Sequence, residues 1–467
     1  MAQKSYDVIL VGSGSGKTAI QRVLDEDPNK EVAVVEKDEL GGICLNRGCR
    51  PSKHLLYPAD LVRSIEEAYE VGIDGAVREK DFRAVMERTR QNQDQAREKI
   101  KETFFARDNV DYYQGTGKFQ DPHTLEVNGE TISGDTFFLS TGSKPLIPPI
   151  EGIERVPYLT SKDVFDLEVL PPSVVIVGGG YIGAELGHFL SAMGSDVTII
   201  GRNSQFVPDE NPEISAVLQR EMSNYLELEF GLEVTKVEQL ADGEVGLTAE
   251  EGSGEARDYQ ASEVLIATGR APNNELLNPE KAGIELDERG WIEVDDELRT
   301  SQDHIWAMGD CIGGYLFKHV AEYEAEIVGE NSTDGPNKKV DYSSIPHALF
   351  TRPEVAAAGM SVEEASEEFG EDGVLVGFAR FTDTVKGQAI EAKGAMVKII
   401  LTDDGKILGA DIVGPEASIL IQEIVIAMEN DLDIEALASS IYVHPALSKV
   451  IKKASENRIP LKEYRAR

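Results

Sequence analysis

A chain of 467 residues has room for about three domains, each with its own core, and is too long for a lone peptide-binding module. Its 84 Asp plus Glu against 46 Lys plus Arg give a formal charge of −38 spread along the whole length; that excludes nucleic acid as a partner and is best tolerated in concentrated salt, where the Debye length is about 3 Å at 1 M, so a halophilic source is expected. No apolar run approaches the ~18 residues of a membrane span, and residues 1–7 lead into a strand without a signal-peptide core, so the expectation is no membrane and a cytoplasmic location.

Residues 7–11 read as a short apolar strand running into Gly12-Ser13-Gly14-Ser15-Gly16-Lys17, and residues 32–35 as a second strand ending at Glu36. This is a βαβ pattern. Gly12, Gly14 and Gly16 let the backbone approach a pyrophosphate at a helix amino terminus, and Glu36 can hold a ribose hydroxyl. Lys17 stands where the third glycine of that motif belongs. Gly16-Lys17-Thr18 also resembles the end of a P-loop, but the first glycine of such a loop would fall at position 11, which is Val11; an NTPase is a remote alternative.

Next comes Gly41-Gly42-Ile43-Cys44-Leu45-Asn46-Arg47-Gly48-Cys49-Arg50-Pro51-Ser52-Lys53. Only Cys311 remains besides, so a structural disulfide framework is excluded and a local dithiol that cycles between thiol and disulfide is the reading. If Cys44 lies in the turn after a strand and Cys49 at a helix entrance, marked by Pro51, both sulfurs enter one pocket. Zinc takes four Cys or His ligands at short paired spacings; no such set is completed here, and no metal is expected.

Residues 91–105 read as a long helix without assignable chemistry. Residues 138–143 form a strand ending in a Thr141-Gly142 turn, and Pro145, Pro148 and Pro149 mark a hinge. A second unit starts at 174–177 and runs into Gly178-Gly179-Gly180-Tyr181-Ile182-Gly183-Ala184-Glu185, with Gly178, Gly180 and Gly183 all in motif positions. Its next strand, 196–200, ends at Gly201-Arg202, and an arginine there can pair with a 2′-phosphate, which favours NADPH over NADH. Residues 265–270 repeat the turn at Thr268-Gly269. Residues 305–310 form a buried strand whose Asp310 can accept from the ribityl hydroxyls of a flavin, and Cys311 beside it reads as a core thiol. From Asp341 onward, strands such as 395–401 and 406–413 alternate with helices.

In this order the pieces resemble, end to end, the flavoprotein pyridine nucleotide-disulfide oxidoreductases, among them dihydrolipoyl dehydrogenase, glutathione reductase, mycothione reductase and mercuric reductase. The resemblance rests on two dinucleotide folds, the Cys-x-x-x-x-Cys segment, two Thr-Gly turns, Gly309-Asp310 and a final His444-Pro445. It implies an α/β fold of two Rossmann-like dinucleotide-binding domains, for FAD and NAD(P), plus a C-terminal α+β dimerisation domain. The implied boundaries are 1–150 with 275–340 for FAD, 151–274 for NAD(P) and 341–467 for the interface. A homodimer that shares its active site is implied as well, with electrons passing from NADPH through FAD and a Cys44–Cys49 disulfide to substrate. By motif, Cys49 is the sulfur beside the flavin and Cys44 the one that attacks substrate. Lys53 and Glu185 match a buried pair near the flavin's reactive edge, and Tyr181 matches a ring that shields the flavin until nicotinamide displaces it. His444 is the implied acid-base, since an imidazole exchanges protons near neutral pH. Members generally carry a glutamate five residues after this histidine; here it is Lys449.

For the substrate, mercury is disfavoured by the lack of an amino-terminal heavy-metal domain and of a carboxyl-terminal cysteine pair. Arg47 and Arg50 flank the redox cysteines where dihydrolipoyl dehydrogenases usually have small or apolar residues. Lipoamide is neutral near its sulfurs, whereas a disulfide with several carboxylates can pair with two arginines. Residues 53–60, 315–320 and 444–447 look closer to mycothione reductase. Halophilic archaea use γ-glutamylcysteine as their main small thiol, so the expected activity is that of a bis-γ-glutamylcystine reductase. The alternative is an NAD-dependent dihydrolipoyl dehydrogenase, with a non-catalytic flavin or NAD(P) sensor as a remote one.

Overall fold

The apolar run of Lys4–Val11 forms β1, the central strand of the first sheet in a computed structural model that describes residues 4–334 and 338–466. Residues 1–3, read above as the lead into this strand, lie outside the described residues. Val8 to Val11 are buried, as expected of a strand covered on both faces. β1 is followed by α1 (Lys17–Glu26), β2 (Val32–Glu36), α2 (Gly42–Asn46), α3 (Cys49–Glu67) and α4 (Phe82–Phe104), then β3 (Val110–Gln114), β4 (Gly117–Asp121), β5 (Thr124–Val127) and β6 (Glu130–Leu139). The sheet order is β3-β2-β1-β6-β5-β4, with Ile305–Ala307 paired to β6. β3, β2, β1, β6 and Ile305–Ala307 run parallel, so Gly12, Glu36, Ser140 and Gly309 gather at one edge, beyond the carboxyl ends of the strands, where open α/β sheets bind ligands.

Two boundaries differ from the sequence reading. Cys44 sits inside the short helix α2 and not in a turn. The long helix starts at Phe82, nine residues before 91, because Asp81 caps it by accepting from Ala84 N at 2.9 Å.

A second parallel sheet is built on Ser173–Val177, flanked by Asp196–Gly201 and Glu263–Ile266. A three-stranded antiparallel sheet, Leu232–Gln239, Val245–Glu251 and Ala256–Ala261, covers one face, and the two share a core through Val175, Val177, Leu232 and Leu247. The other face carries α5 (Tyr181–Met193). Helix α3, which bears Cys49, is wedged between α4 and α5: Leu55, Leu56, Ala59 and Val62 pack with Met86 and Phe189, and the rings of Phe82 and Phe189 stack at 6.0 Å. That apolar contact fixes α3 against both parallel-sheet units. The chain passes between those units through a two-stranded ribbon, Ser143–Pro145 with Arg270–Pro272.

The remaining third is a six-stranded antiparallel sheet in the order Pro346–Leu349, Glu354–Gly359, Ile407–Gly414, Met396–Thr402, Val374–Arg380 and Arg458–Pro460, with helices Ala417–Glu429 and Lys449–Glu456 packed on it. Among the described residues no helix is long and apolar enough to cross a membrane.

Candidate functional site

The turn from β1 to α1 is shaped by close contact. A Cβ on Gly12, at φ +98°, would lie 2.1 Å from Ser140 O, and one on Gly16 would meet Leu10 Cδ1 at 2.5 Å. Glycine at both positions lets β1, the Thr141-Gly142 turn and the start of α1 converge. Glu36, at the end of β2, is buried; its Oε2 accepts from Ser13 N at 2.9 Å and Ser13 Oγ at 2.8 Å, and its Oε1 from Asp38 N at 2.9 Å. Lys17 turns its amine back to donate to Gly14 O at 2.9 Å. Burial, with Lys318 and Arg50 nearby, pushes that amine down to about 8. Lys318 reaches Ser15 Oγ at 2.9 Å from 303 residues away in the chain.

Gly12, Gly14, Ser15, Glu36 and Lys318 line a cavity of about 590 Å³ that runs past Gly142 and Asp310 to Cys44 and Cys49. Its size and its few placed polar groups fit a small-molecule site. The narrow glycine turn, the amides at the start of α1, the carboxylate of Glu36 and the amine of Lys318 are a donor and charge set suited to a dinucleotide pyrophosphate and ribose, so the residues fit FAD. Asp310 lies in the tight turn Gly309–Ile312, beyond the strand, and accepts from Ser143 Oγ, which in turn accepts from Arg270 Nε at 2.6 Å. Glu324 anchors that turn from below: its Oε2 accepts from Gly309 N at 2.6 Å and its Oε1 from Tyr342 Oη at 2.8 Å. Burial pushes this carboxyl up to about 7. Cys311 is fully buried, its thiol pushed up to about 12 by burial, and it takes no part in the cavity.

Cys44 and Cys49 are joined in a disulfide with Cα atoms 4.8 Å apart, in the cavity wall. Gly48, between the two helices, is packed so tightly that a Cβ would lie 3.1 Å from Ile43 O and 3.2 Å from Cys44 Cα. Asn46, next but one to Cys44, ties the loop down: its amide donates to the carbonyls of Leu40 and Gly42 at 3.0 Å each, and its Oδ1 accepts from Arg97 at 2.8 Å. α4 therefore has a role beside the redox segment, which its sequence gave no sign of.

One turn along α3, Lys53 Nζ contacts both carboxylate oxygens of Glu185 on α5, at 2.8 and 2.9 Å, and lies 4.3 Å from the Phe350 ring centre; Phe350 N donates to Glu185 Oε1 at 3.1 Å. The carboxylate is 12% exposed. Three parts of the chain thus meet beside the disulfide.

Arg47 and Arg50 separate. Arg47 closes α2, lines the cavity and pairs with Asp38 at 3.3 Å, near Glu36. Arg50 is exposed at the second position of α3, with no carboxylate at ion-pair distance among the described residues. In the second unit, Gly178 at φ +121° would place a Cβ 2.3 Å from Ala267 O, and a Cβ on Gly183 would lie 2.1 Å from Gly178 O; Gly180 precedes the first residue of α5, Tyr181. Gly269, at φ +115°, forms the turn after Glu263–Ile266. Arg202, just past Asp196–Gly201, is 77% exposed and lies 4.0 Å from Glu233. His444 is exposed in the segment before helix Lys449–Glu456, between Ile441 and Val443 on one side and Pro445 on the other, and it does not line the cavity that holds Cys44 and Cys49. Lys449 is the first residue of that helix.

The sequence reading missed Ser143, Arg270, Lys318, Glu324, Glu210 and His347. The contacts that place them, such as Glu324 with Gly309 and Lys318 with Ser15, join residues 15 to 303 apart in the chain. Among the described residues no cluster of three or more His, Cys, Asp or Glu side chains is arranged to hold a metal ion.

Residues 6–325 match the family model described as pyridine nucleotide-disulphide oxidoreductase, and residues 345–455 match the dimerisation domain of the same family. The chain is 33% identical to a dihydrolipoyl dehydrogenase 3 of Haloarcula marismortui, over 97% of this chain and 96% of the relative. It is 29% identical to a mercuric reductase of Lysinibacillus sphaericus, over 97% of this chain and 82% of that protein. Among solved structures, the HOCl-induced flavoprotein disulfide reductase RclA from Escherichia coli is similar with a TM-score of 0.85 at 27% identity, covering 97% of this chain and 99% of RclA.

Proposed function

The chain belongs to the pyridine nucleotide-disulphide oxidoreductases and is an FAD-containing disulfide oxidoreductase; from that premise we propose that it uses NADPH to reduce a low-molecular-weight disulfide that carries carboxylates, with bis-γ-glutamylcystine as the substrate. The observation that carries this reading is the Cys44–Cys49 disulfide in the wall of a dinucleotide-sized cavity. The boundaries 1–150 with 275–340, 151–274 and 341–467 belong to the same reading and are supported by the membership of the three large sheets.

FAD would be held by the Gly12–Gly16 turn, Glu36, Lys318, Thr141, Gly142 and Asp310, and when bound it would supply a two-electron relay between the nicotinamide and the disulfide. Gly178, Gly180 and Gly183 would take the pyrophosphate of NADPH at the start of α5, and the exposed Arg202 its 2′-phosphate. Tyr181 would cover the side of the flavin that nicotinamide approaches until NADPH enters. Once Cys44 and Cys49 are reduced, the Cys44 thiolate attacks one substrate sulfur and one thiol leaves with a proton from His444 of the partner subunit. Cys49 then attacks the mixed disulfide, releases the second thiol and restores the Cys44–Cys49 bond. One disulfide is reduced to two thiols as the protein dithiol is reoxidised.

The homodimer is supported by apolar surface. Tyr57, Leu61 and Ile65 recur every four residues on one face of α3 at 59%, 48% and 39% exposure, and Ile441 is 102% exposed beside His444. For the substrate, the free guanidinium of Arg50 next to Cys49 is the anion-binding group, whereas Arg47 is engaged by Asp38 on the cofactor side. A redox-active dithiol and a charge of −38 suit the cytoplasm of a halophile.

The test compares kcat/KM for bis-γ-glutamylcystine, lipoamide and glutathione disulfide, with NADPH and with NADH, in high salt. The expected result is the highest value for bis-γ-glutamylcystine with NADPH. Arg50→Ala should raise the KM for that disulfide, and Arg47→Ala should not. Preference for lipoamide with NADH would establish the second reading, a dihydrolipoyl dehydrogenase, which the name of the Haloarcula relative favours.

A further inference from the structure

Tyr181 does not stand alone at the start of α5. Its hydroxyl donates to Glu210 Oε1, and His347 Nε2 meets the same oxygen at 3.0 Å. Glu210 has a side chain only 1% exposed, so its carboxylate depends on these donors. Burial and this carboxylate hold the Tyr181 phenol well above its ordinary range, and it stays a donor. Three rings surround the contact: His347 and Phe317 stack nearly parallel at 5.7 Å and 2°, and the Tyr181 ring lies 6.1 Å from the first and 6.3 Å from the second.

Glu210 is also tied to the nucleotide turn. Its backbone N–H donates to Val207 O at 2.9 Å, and Val207 N–H donates to Gly179 O at 2.7 Å. Val207 holds φ +40°, a conformation that β-branched residues rarely adopt, so this loop is kept in place by its surroundings. His347 comes from strand Pro346–Leu349 of the antiparallel sheet, 137 residues from Glu210. A single oxygen therefore joins the antiparallel sheet, the glycine turn and the ring at the head of α5.

We propose that His347, acting through Glu210, is a positioning residue that sets how readily the Tyr181 ring yields to nicotinamide. The inference rests on the reading of Tyr181 given above. A carboxylate shared by two donors binds each less firmly than one it holds alone. Removing His347 moves the hold of Glu210 onto the phenol and makes the ring harder to displace. Neutralising Glu210, or deleting the phenol hydroxyl, makes it easier.

Steady-state kinetics of the holoenzyme test this. His347→Ala should raise the KM for NADPH about fivefold, the equivalent of one hydrogen bond, and leave the KM for the disulfide unchanged. His347→Gln, which keeps a side-chain N–H, should restore the wild-type value. Glu210→Gln and Tyr181→Phe should lower the NADPH KM, and in a Tyr181→Phe background His347→Ala should have no effect. An unchanged NADPH KM in His347→Ala, or an equal rise with and without the Tyr181 hydroxyl, would overturn the proposal. A wild type that turns over no disulfide would sink the reading of function alone, because NADPH-driven reduction of ferricyanide would still report the shift in KM.

Discussion

Replacing Lys53 by Met tests how the redox helix is locked to the second nucleotide unit. At 2.8 Å and an effective dielectric near 20, the attraction between Lys53 and Glu185 is about 6 kcal/mol before solvation is counted. Withdrawing a carboxylate that is 12% exposed, and an amine that is 35% exposed, from water offsets most of this. Lys53→Met leaves the Glu185 carboxylate with Phe350 N as its named donor and should cost about 2–3 kcal/mol, below the range for a fully buried pair because Lys53 is part-exposed. The double variant Lys53→Met/Glu185→Leu should recover much of that, giving a coupling of about 1–3 kcal/mol. The assay is urea unfolding of the holoenzyme followed by circular dichroism at about 1 M and 3 M KCl. A contact pair sheltered by Phe350 should keep its coupling at both salt concentrations. A coupling under about 0.5 kcal/mol, or one that fades with salt as exposed pairs do, would refute the lock.

Three further outcomes are expected. Cys44→Ser or Cys49→Ser should abolish disulfide turnover and retain NADPH oxidation by ferricyanide; disulfide turnover in either variant would place the redox centre elsewhere. The folded pKa of Glu324, about 7, lies above the ordinary 4.5, so its contribution to stability is full below about pH 4.5 and is lost as pH rises through 7. Between pH 5 and 8 the wild type should therefore lose about 2–3 kcal/mol relative to Glu324→Gln in urea unfolding, and a pH-independent difference would contradict this. Finally, with a charge of −38, the melting temperature should fall steadily as KCl is lowered from about 3 M to 0.1 M, and full stability in dilute buffer would remove the argument for a salt-adapted surface.

The nucleotide-binding units were legible because their chemistry is local. Val8 to Val11 and Val174 to Val177 are continuous apolar runs because both faces of the strand are covered, and Gly12 and Gly178 are fixed by carbonyls that a Cβ would strike. The start of α4 was not legible. Of its five buried residues, Phe82, Met86, Thr89, Gln93 and Phe104, the two in the middle are polar, so the apolar period is broken between Met86 and Phe104. The hydroxyl of Ser15 and the amine of Lys318, or the group of Ser143, Arg270 and Asp310, come together only through the fold of two sheets.

Arg47 and Arg50 show why spacing alone could not assign the substrate groups. They are three residues apart in sequence, but Gly48 breaks the chain direction between α2 and α3, at φ −144° and ψ −128°, so one guanidinium meets Asp38 in the cavity and the other faces solvent. The same limit applies at the level of assembly. Ile441 at 102% and Val443 at 77% exposure precede a histidine whose implied chemistry needs a desolvated disulfide, and that histidine does not line the cavity that holds Cys44 and Cys49. Covering that apolar segment with a second copy would remove it from water, and on the proposed reading the same contact would set His444 at the partner's disulfide. Ile441→Asp should therefore depress both the dimer fraction and disulfide turnover, and spare NADPH oxidation by ferricyanide. A monomer with undiminished disulfide turnover would show that His444 is not the proton donor.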